Sequence, residues 1–187
     1  CREYRKNGSR SIARKMSTLR TYFKYMTQKS HQLKVNPMEG VETPSLPKTL
    51  PKYLTLEEST DLLSAVKKSR RDYAILTLFL NCGMRLAELV SLNISDIKNE
   101  YAVITGKGNK QRTIHLNRAC RDAIDDYLNH ERPKEGLKDP EALFISRNKC
   151  RISRRAVQNV VEKYLKLAGL GDKQLSNPKL GWILSTD

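Results

Sequence analysis

The sequence lacks the features that mark secreted, zinc-binding or membrane-spanning proteins. Its four cysteines, Cys1, Cys82, Cys120 and Cys150, lie far apart and show none of the paired spacings that zinc ribbons or redox motifs require. We expect them to be reduced and structural, and we predict no metal or cofactor. No apolar run is long enough to span a bilayer, and the N-terminus has no signal-peptide pattern. These absences predict a cytoplasmic protein that does not bind a membrane.

Positive charge is what the sequence has in excess. The chain has 187 residues and a formal net charge of +15, and its first 50 residues contain eleven Lys or Arg against three acidic residues. A hydrophobic content of 39% favours a folded chain, and the length suits one full domain plus part of another. Because Lys and Arg release condensed counterions when they neutralise phosphates, the charge favours nucleic acid as the partner. A basic protein without such a partner is the alternative at this stage.

A basic, amphipathic helix is predicted from Ser9 to about Gln28. Its apolar residues follow the spacing of one helix face, which we expect to be buried: Ile12, Met16, Leu19, Phe23 and Met26. Its basic residues lie largely elsewhere on the helix and are Arg10, Arg14, Arg20 and Lys24, with Lys15 beside them. Because few acidic residues occur here, phosphate contact is favoured over a merely solvated face.

A proline-rich stretch separates this helix from the rest of the chain. The prolines between Asn36 and Lys52 are Pro37, Pro44, Pro47 and Pro51, which predict an extended connector. Thr55 and Glu58 fit a capping box, so a helix is expected from there to about Lys68. We therefore predict a partial helical domain over residues 1–45, a linker over 46–54 and a second, incomplete domain over 55–187.

The second domain is predicted to be mainly α-helical with a small β-hairpin. Helices are expected over residues 71–81, ended by a left-handed Gly83, over 85–92, from an Asn117 cap to about residue 129, and from a Ser153 cap to Gly169 or Gly171. Strands are expected over 101–105 and 111–116, joined by the basic turn 106–110. Residues 142–145 form a short apolar segment.

The order of several short motifs in this domain is more specific than any one of them. The segment Asn-Cys-Gly-Met-Arg-Leu-Ala-Glu-Leu-Val-Ser-Leu at 81–92 is followed by Ile-Ser-Asp-Ile at 94–97 and by Gly-Lys-Gly-Asn-Lys-Gln-Arg at 106–112. This order closely resembles the tyrosine recombinases, also called the phage integrase family, and especially chromosome-dimer-resolving and transposon-borne members. The resemblance implies a tyrosine-recombinase catalytic core, preceded by part of a helical core-binding domain, that encloses duplex DNA as a C-shaped clamp.

The resemblance also implies roles for individual residues. Arg85 would hold the scissile phosphate, since a guanidinium offers two parallel donors and stays charged when desolvated. Lys107 would protonate the departing 5′ oxygen as a general acid. Glu88 either orients this region, as in the family, or is a solvent-facing capping partner of Arg85. Lys110 and Arg112 would contact the DNA backbone, and their alternative is a solvated hairpin edge.

The remaining family motifs are not matched in this sequence. Where a His-x-x-Arg motif is expected, Pro178 occupies the His position and Gly181 the Arg position, and no Tyr follows to act as nucleophile. Tyr164 has the spacing of a packing residue, and Trp182 does not match the family's late Trp. His31, His115 and His130 match no catalytic position and are expected at the surface.

Three functions therefore compete for this chain. By resemblance, the complete protein would recombine DNA at specific sites, as integrases and mobile-element enzymes do, through a phosphotyrosyl intermediate, without a metal, as a tetramer on two DNA sites. The missing motifs favour a second hypothesis, in which the chain is an inactive DNA-binding remnant or regulator that retains the clamp. The third is an unrelated basic DNA-binding protein such as a repressor. In each case the protein would be associated with the nucleoid.

Overall fold

The computed structural model describes residues 7–46, 53–66, 68–106, 108 and 110–171. The chain divides into two compact units, Cys1–Leu50 and Pro51–Asp187. The domain limits drawn from the sequence remain a prediction. Within the described ranges, no helix is both long enough and apolar enough to cross a membrane.

The first unit contains the helix α1, Ser9–Gln28, with the bounds that the sequence predicts. After α1 the chain forms a turn at Asn36, whose side-chain Oδ1 accepts a hydrogen bond from the Met38 N–H at 3.0 Å and whose carbonyl accepts one from the Glu39 N–H at 3.0 Å. Pro37 therefore lies in a turn, and the expectation of an extended chain is wrong there, because the Asn36 side chain stabilises the bend. Pro47 and Pro51 lie outside the described residues.

The apolar face of α1 is only partly covered, contrary to the prediction. No residue of α1 is buried, and the Leu19 side chain is 46% exposed. Over residues 7–46, α1 is the only helix, so within this described segment no second helix packs against its apolar face.

The second unit is built around a buried helix. Its helices are α2, Leu56–Ser64; α3, Arg70–Cys82; α4, Leu86–Ser91; α5, Arg118–His130; and α6, Arg154–Leu167. Within α3, every residue from Ala74 to Leu80 is buried, and this helix packs against α2, α5 and α6. A mainly α-helical fold with one small sheet is confirmed.

Side-chain caps define where these helices begin, as the sequence predicts. In the capping box of α2, the Thr55 N–H donates to Glu58 Oε2 at 2.9 Å and the Glu58 N–H donates to Thr55 Oγ1 at 3.2 Å. Asn117 and Ser153 cap α5 and α6 through their side chains alone, which accept the N–H of Cys120 and of Ala156. The end of α2 was predicted about four residues too late, because the chain turns at Ala65 and Ser69 then caps α3.

The hairpin consists of β1, Tyr101–Thr105, and β2, Gln111–His115, in antiparallel register. At the turn end of the ladder, the Gly106 N–H donates to the Lys110 carbonyl at 2.8 Å, which closes the base of the turn. The apolar segment 142–145 is buried, and it pairs with Asn93 through Ala142. The predicted hairpin and apolar segment are therefore confirmed, while Lys107 and Asn109 lie outside the described residues.

Candidate nucleic-acid interface

Arg85 occupies the junction between α3 and α4. The chain leaves α3 through Gly83, which has a φ of +58° in the left-handed region that glycine adopts at little cost. Two residues later, Arg85 is the extended N-cap residue of α4. The Arg85 side chain is 72% exposed, so its guanidinium can reach a ligand in solvent.

Glu88 lies under Arg85, with its side chain only 4% exposed. Glu88 Oε1 accepts a hydrogen bond from Arg85 Nη1 at 2.8 Å, and Oε2 accepts one from the Arg85 backbone N–H at 2.8 Å. The carboxylate thus caps α4 and pairs with Arg85 one turn away. A solvent-facing Glu88 is ruled out, since its neighbours exclude water from it.

Arg112 of β2 contacts the same carboxylate. Its Nη2 donates to Glu88 Oε2 at 3.0 Å, and its side chain is 47% exposed. The hairpin backbone also comes close, because a Cβ built at Gly106 would lie 3.8 Å from Glu88 Oε1. Sequence reasoning missed this contact of Arg112. The alternation of side chains between the two faces of β2 could have indicated it. Arg112 lies on the same face as Ile114, which packs against the core.

The electrostatics of this cluster favour anion binding. Burial raises the pKa of Glu88, but hydrogen bonds from the Arg85 backbone and side chain, with the positive charges of Arg112 and Arg85, outweigh it and leave the pKa below its ordinary value. Glu88 is therefore ionised at neutral pH. One negative charge holds two guanidinium groups in place, and the cluster keeps a net positive charge on its exposed side. Two adjacent guanidinium groups are well suited to phosphate oxygens.

The other predicted DNA contacts differ in their exposure and in the contacts that their side chains make. In the first unit, Arg14 and Lys24 are exposed, whereas Arg20 is held by the Thr43 hydroxyl and the Val41 carbonyl. The remaining predicted contacts whose side chains are exposed are Arg10, Lys15 and Lys110. Lys15 also donates to the Asn7 side chain at 3.2 Å. Lys107, the predicted general acid, is outside the described residues.

The structure bears out the packing role of Tyr164 and shows one arginine that the sequence did not single out. Tyr164 is 4% exposed, and its hydroxyl lies 3.3 Å from Oδ2 of the buried Asp72, to which it donates. Arg151 is half-buried and binds the end of α4 through the carbonyls of Val90 and Leu92. The three histidines, His31, His115 and His130, are exposed, as expected.

No group of three or more His, Cys, Asp or Glu side chains that could hold a metal ion occurs in the described parts of the chain.

Comparisons with known proteins point to one family. Residues 52–180 match the model of the phage integrase family. Tyrosine recombinase XerC of Caldanaerobacter subterraneus subsp. tengcongensis is 49% identical over 184 residues, which cover 97% of this chain and 52% of the relative. The chain thus spans about half the length of this curated relative.

Solved structures agree on the fold. A lambda integrase dimer bound to a core site has a TM-score of 0.71 at 17% identity, over 94% of this chain and 65% of that one. A lambda integrase tetramer bound to a Holliday junction has a TM-score of 0.65 at 19% identity, over 90% of this chain and 51% of that one. At these identities the likeness concerns the fold alone.

The family model covers more than half of the chain and includes Arg85, Glu88 and Arg112. An unrelated repressor-like protein is therefore the wrong hypothesis. The chain belongs to the phage integrase family.

Proposed function

We propose that this chain is part of a site-specific DNA recombinase and supplies the surface that holds a DNA phosphate during strand cleavage and rejoining. The observation that carries the proposal is the convergence of two exposed arginines, Arg85 and Arg112, on the buried carboxylate of Glu88. Family membership and the recombinase names of the matched relatives support it.

In this proposal Arg85 donates two parallel hydrogen bonds to the scissile phosphate. Charge on the phosphate oxygens grows in the pentacoordinate transition state, so donors fixed in advance lower the barrier without reorganising during the reaction. Glu88 fixes Arg85, and Arg112 adds a second positive group beside it. Lys107 would protonate the leaving 5′ oxygen, as the family resemblance implies.

The proposal extends to the activity of a whole recombinase, of the kind that the matched relatives are named as; the chain spans about half the length of the curated relative from Caldanaerobacter. The partner of this whole recombinase would be duplex DNA in the nucleoid, and its working form would be a tetramer, as in the lambda integrase structure with a Holliday junction. The basic residues of α1 would add phosphate contacts. The inactive-remnant hypothesis is the less favoured one, because the matched curated relatives are recombinases.

DNA binding by the chain is tested with a fluorescent duplex and anisotropy over a range of salt concentrations. We expect Arg85→Ala to weaken binding and to reduce the slope of log K against log salt by about one, as loss of one phosphate contact does. The matched control is Arg118→Ala, because Arg118 is an exposed arginine paired with Asp122 on α5. Equal losses in both variants would mean that net charge alone drives binding.

Recombination is tested with a hybrid protein. Residues 1–171 replace the matching segment of the Caldanaerobacter XerC, and recombination is scored on a plasmid that carries two copies of that relative's site. An active hybrid that Arg85→Ala inactivates supports the proposal. A hybrid that is folded and binds DNA, yet never exchanges strands, contradicts it.

A further inference from the structure

The side chain of Arg151 joins the end of α4 to the loop before α6. Its Nη1 donates to the Val90 carbonyl at 3.2 Å and to the Leu92 carbonyl at 3.0 Å. Its Nη2 donates to Asn93 Oδ1 at 2.6 Å, and its Nε donates to Asp139 Oδ2 at 2.8 Å. All three guanidinium nitrogens are therefore engaged by acceptors within the same unit.

The stability of α4 depends on tertiary contacts such as those that Arg151 makes. With six residues, α4 is too short to be stable without tertiary contacts. The last carbonyls of a helix have no partner inside it, and here the Val90 and Leu92 carbonyls find one in Arg151. The Leu92 carbonyl also accepts a hydrogen bond from the Leu143 N–H at 2.9 Å. Arg151 thereby fixes the C-terminal end of α4.

The opposite end of the same helix carries Arg85 and Glu88. Because α4 makes fewer than two turns, a tilt of its C-terminal end moves Glu88 relative to Arg112. We propose that Arg151 is a positioning residue, which holds α4 at the angle that lets Glu88 bind both Arg85 and Arg112. The proposal rests on the proposed function in one respect, namely that this arginine pair binds a DNA phosphate.

Direct contact between Arg151 and DNA does not fit its surroundings. The Arg151 side chain is 27% exposed, and a phosphate would have to displace the Asp139 carboxylate or the Asn93 amide oxygen. Its effect on DNA binding must then pass through α4.

The first test measures the pKa of the Glu88 carboxyl by NMR titration of the full chain. We expect Arg151→Met to raise the pKa of Glu88 toward its ordinary value, because Arg85 and Arg112 are then held less firmly against it. The control is Arg132→Met. Arg132 is also a half-buried arginine that binds backbone carbonyls, those of Pro140 and Ala142, and loses the same charge when replaced.

An unchanged pKa of Glu88 in Arg151→Met, or an equal rise in Arg132→Met, overturns the proposal. If Arg151→Met does not fold, Arg151→Lys serves in its place. Lysine retains the charge but lacks the planar fork that spans Val90, Asn93 and Asp139, so we expect a smaller rise in the same pKa.

The second test is a double-mutant cycle for binding to a fluorescent duplex. We expect Arg151→Met to weaken binding about threefold to tenfold, in the range seen for coupled neighbouring residues. Added to Arg85→Ala, it should cause a smaller loss than in the unaltered chain, because only Arg112 then still depends on the position of Glu88. Fully additive losses overturn the proposal. If the unaltered chain does not bind DNA, the proposed function fails, and the pKa of Glu88 still decides whether Arg151 positions the cluster.

Discussion

Ile104 and Arg112 are direct cross-strand partners in the hairpin, so their side chains leave the sheet from the same face. Ile104 is 1% exposed and packs in the core, while Arg112 lies at the edge of that face. The hairpin therefore places the Arg112 guanidinium at the boundary between the core and solvent. From there the guanidinium reaches the buried Glu88 and still keeps about half its surface exposed.

Replacing Arg112 should weaken DNA binding more than replacing its neighbour Gln111, which lies on the other face of the hairpin. Arg112→Ala removes a guanidinium from the cluster and leaves Glu88 with Arg85 alone, so we expect about a tenfold loss at moderate salt, as for one lost phosphate contact. The control, Gln111→Ala, alters the adjacent residue of β2, which points away. Anisotropy measures both. Equal affinities of the two variants for DNA would show that Arg112 is not part of the DNA-binding site.

Glu88→Gln should lower stability at neutral pH by about 1–2 kcal/mol, a loss kept small because both arginines remain partly solvated. The pKa of Glu88 is lowered on folding, so its contribution is present above the ordinary pKa of about 4.3 and disappears as the pH falls through the lower value of the folded state. Urea unfolding at several pH values measures this difference.

The difference between Glu88→Gln and the unaltered chain should therefore be largest near pH 7 and shrink below about pH 4. Glu162→Gln is the control, because Glu162 is an exposed residue of α6. A difference that stays constant with pH would show that charge on Glu88 is not what stabilises the cluster.

Two arginines of α1 should differ in their contribution to DNA binding. Arg14 is exposed, whereas Arg20 is bound to Thr43 and Val41 of its own unit. Arg14→Ala should reduce the slope of log K against log salt by about one, and Arg20→Ala should change that slope less and lower the melting temperature more. A larger change of the salt slope in Arg20→Ala than in Arg14→Ala would contradict this prediction, since Arg20 would then be the residue that contacts phosphate.

Cys82 and Cys120 should form a disulfide under mild oxidation. Their Sγ atoms lie 3.6 Å apart, and the hydrogen bond from Cys120 lowers the pKa of Cys82, which makes Cys82 the thiolate partner. With hydrogen peroxide as oxidant, the two thiols lose two electrons and two protons, and the peroxide is reduced to water. Peptide mass spectrometry of a Cys1→Ser variant should find the Cys82–Cys120 link, reversible by dithiothreitol.

Cys150 is the internal control for this oxidation. Its Sγ contacts the Ser146 hydroxyl at 3.1 Å, and we expect it to remain open to alkylation after the treatment. Peptides that link Cys150 to Cys82 would contradict the geometry.

Local patterns predicted the elements of this fold well, because each depends on a few neighbouring residues. Thr55, Asn117 and Ser153 cap helices as expected, and Gly83 adopts the left-handed conformation. The end of α2 and the turn at Asn36 were missed, since both depend on competing contacts a few residues away.

The site was less predictable, because its decisive contacts join distant parts of the chain. Periodicity placed Arg85 and Glu88 one turn apart, but Arg112 comes from another element, and only the register of the hairpin brings it to Glu88. Likewise, nothing in the local sequence indicates that Arg151 binds the Val90 carbonyl, or that the Cys82 and Cys120 side chains are in contact. Only the assembled core determines such pairings.

The burial of Glu88 between two arginines restricts how this surface can change over evolutionary time. A neutral residue at position 88 leaves two like charges facing each other, and loss of either arginine leaves the carboxylate with only one partner in a poorly hydrated place. A change at position 88 or 112 is thus tolerated best when the other accompanies it, whereas Arg85 is also needed for the proposed contact with phosphate. Among homologous sequences, positions 88 and 112 should covary, and position 85 should remain arginine.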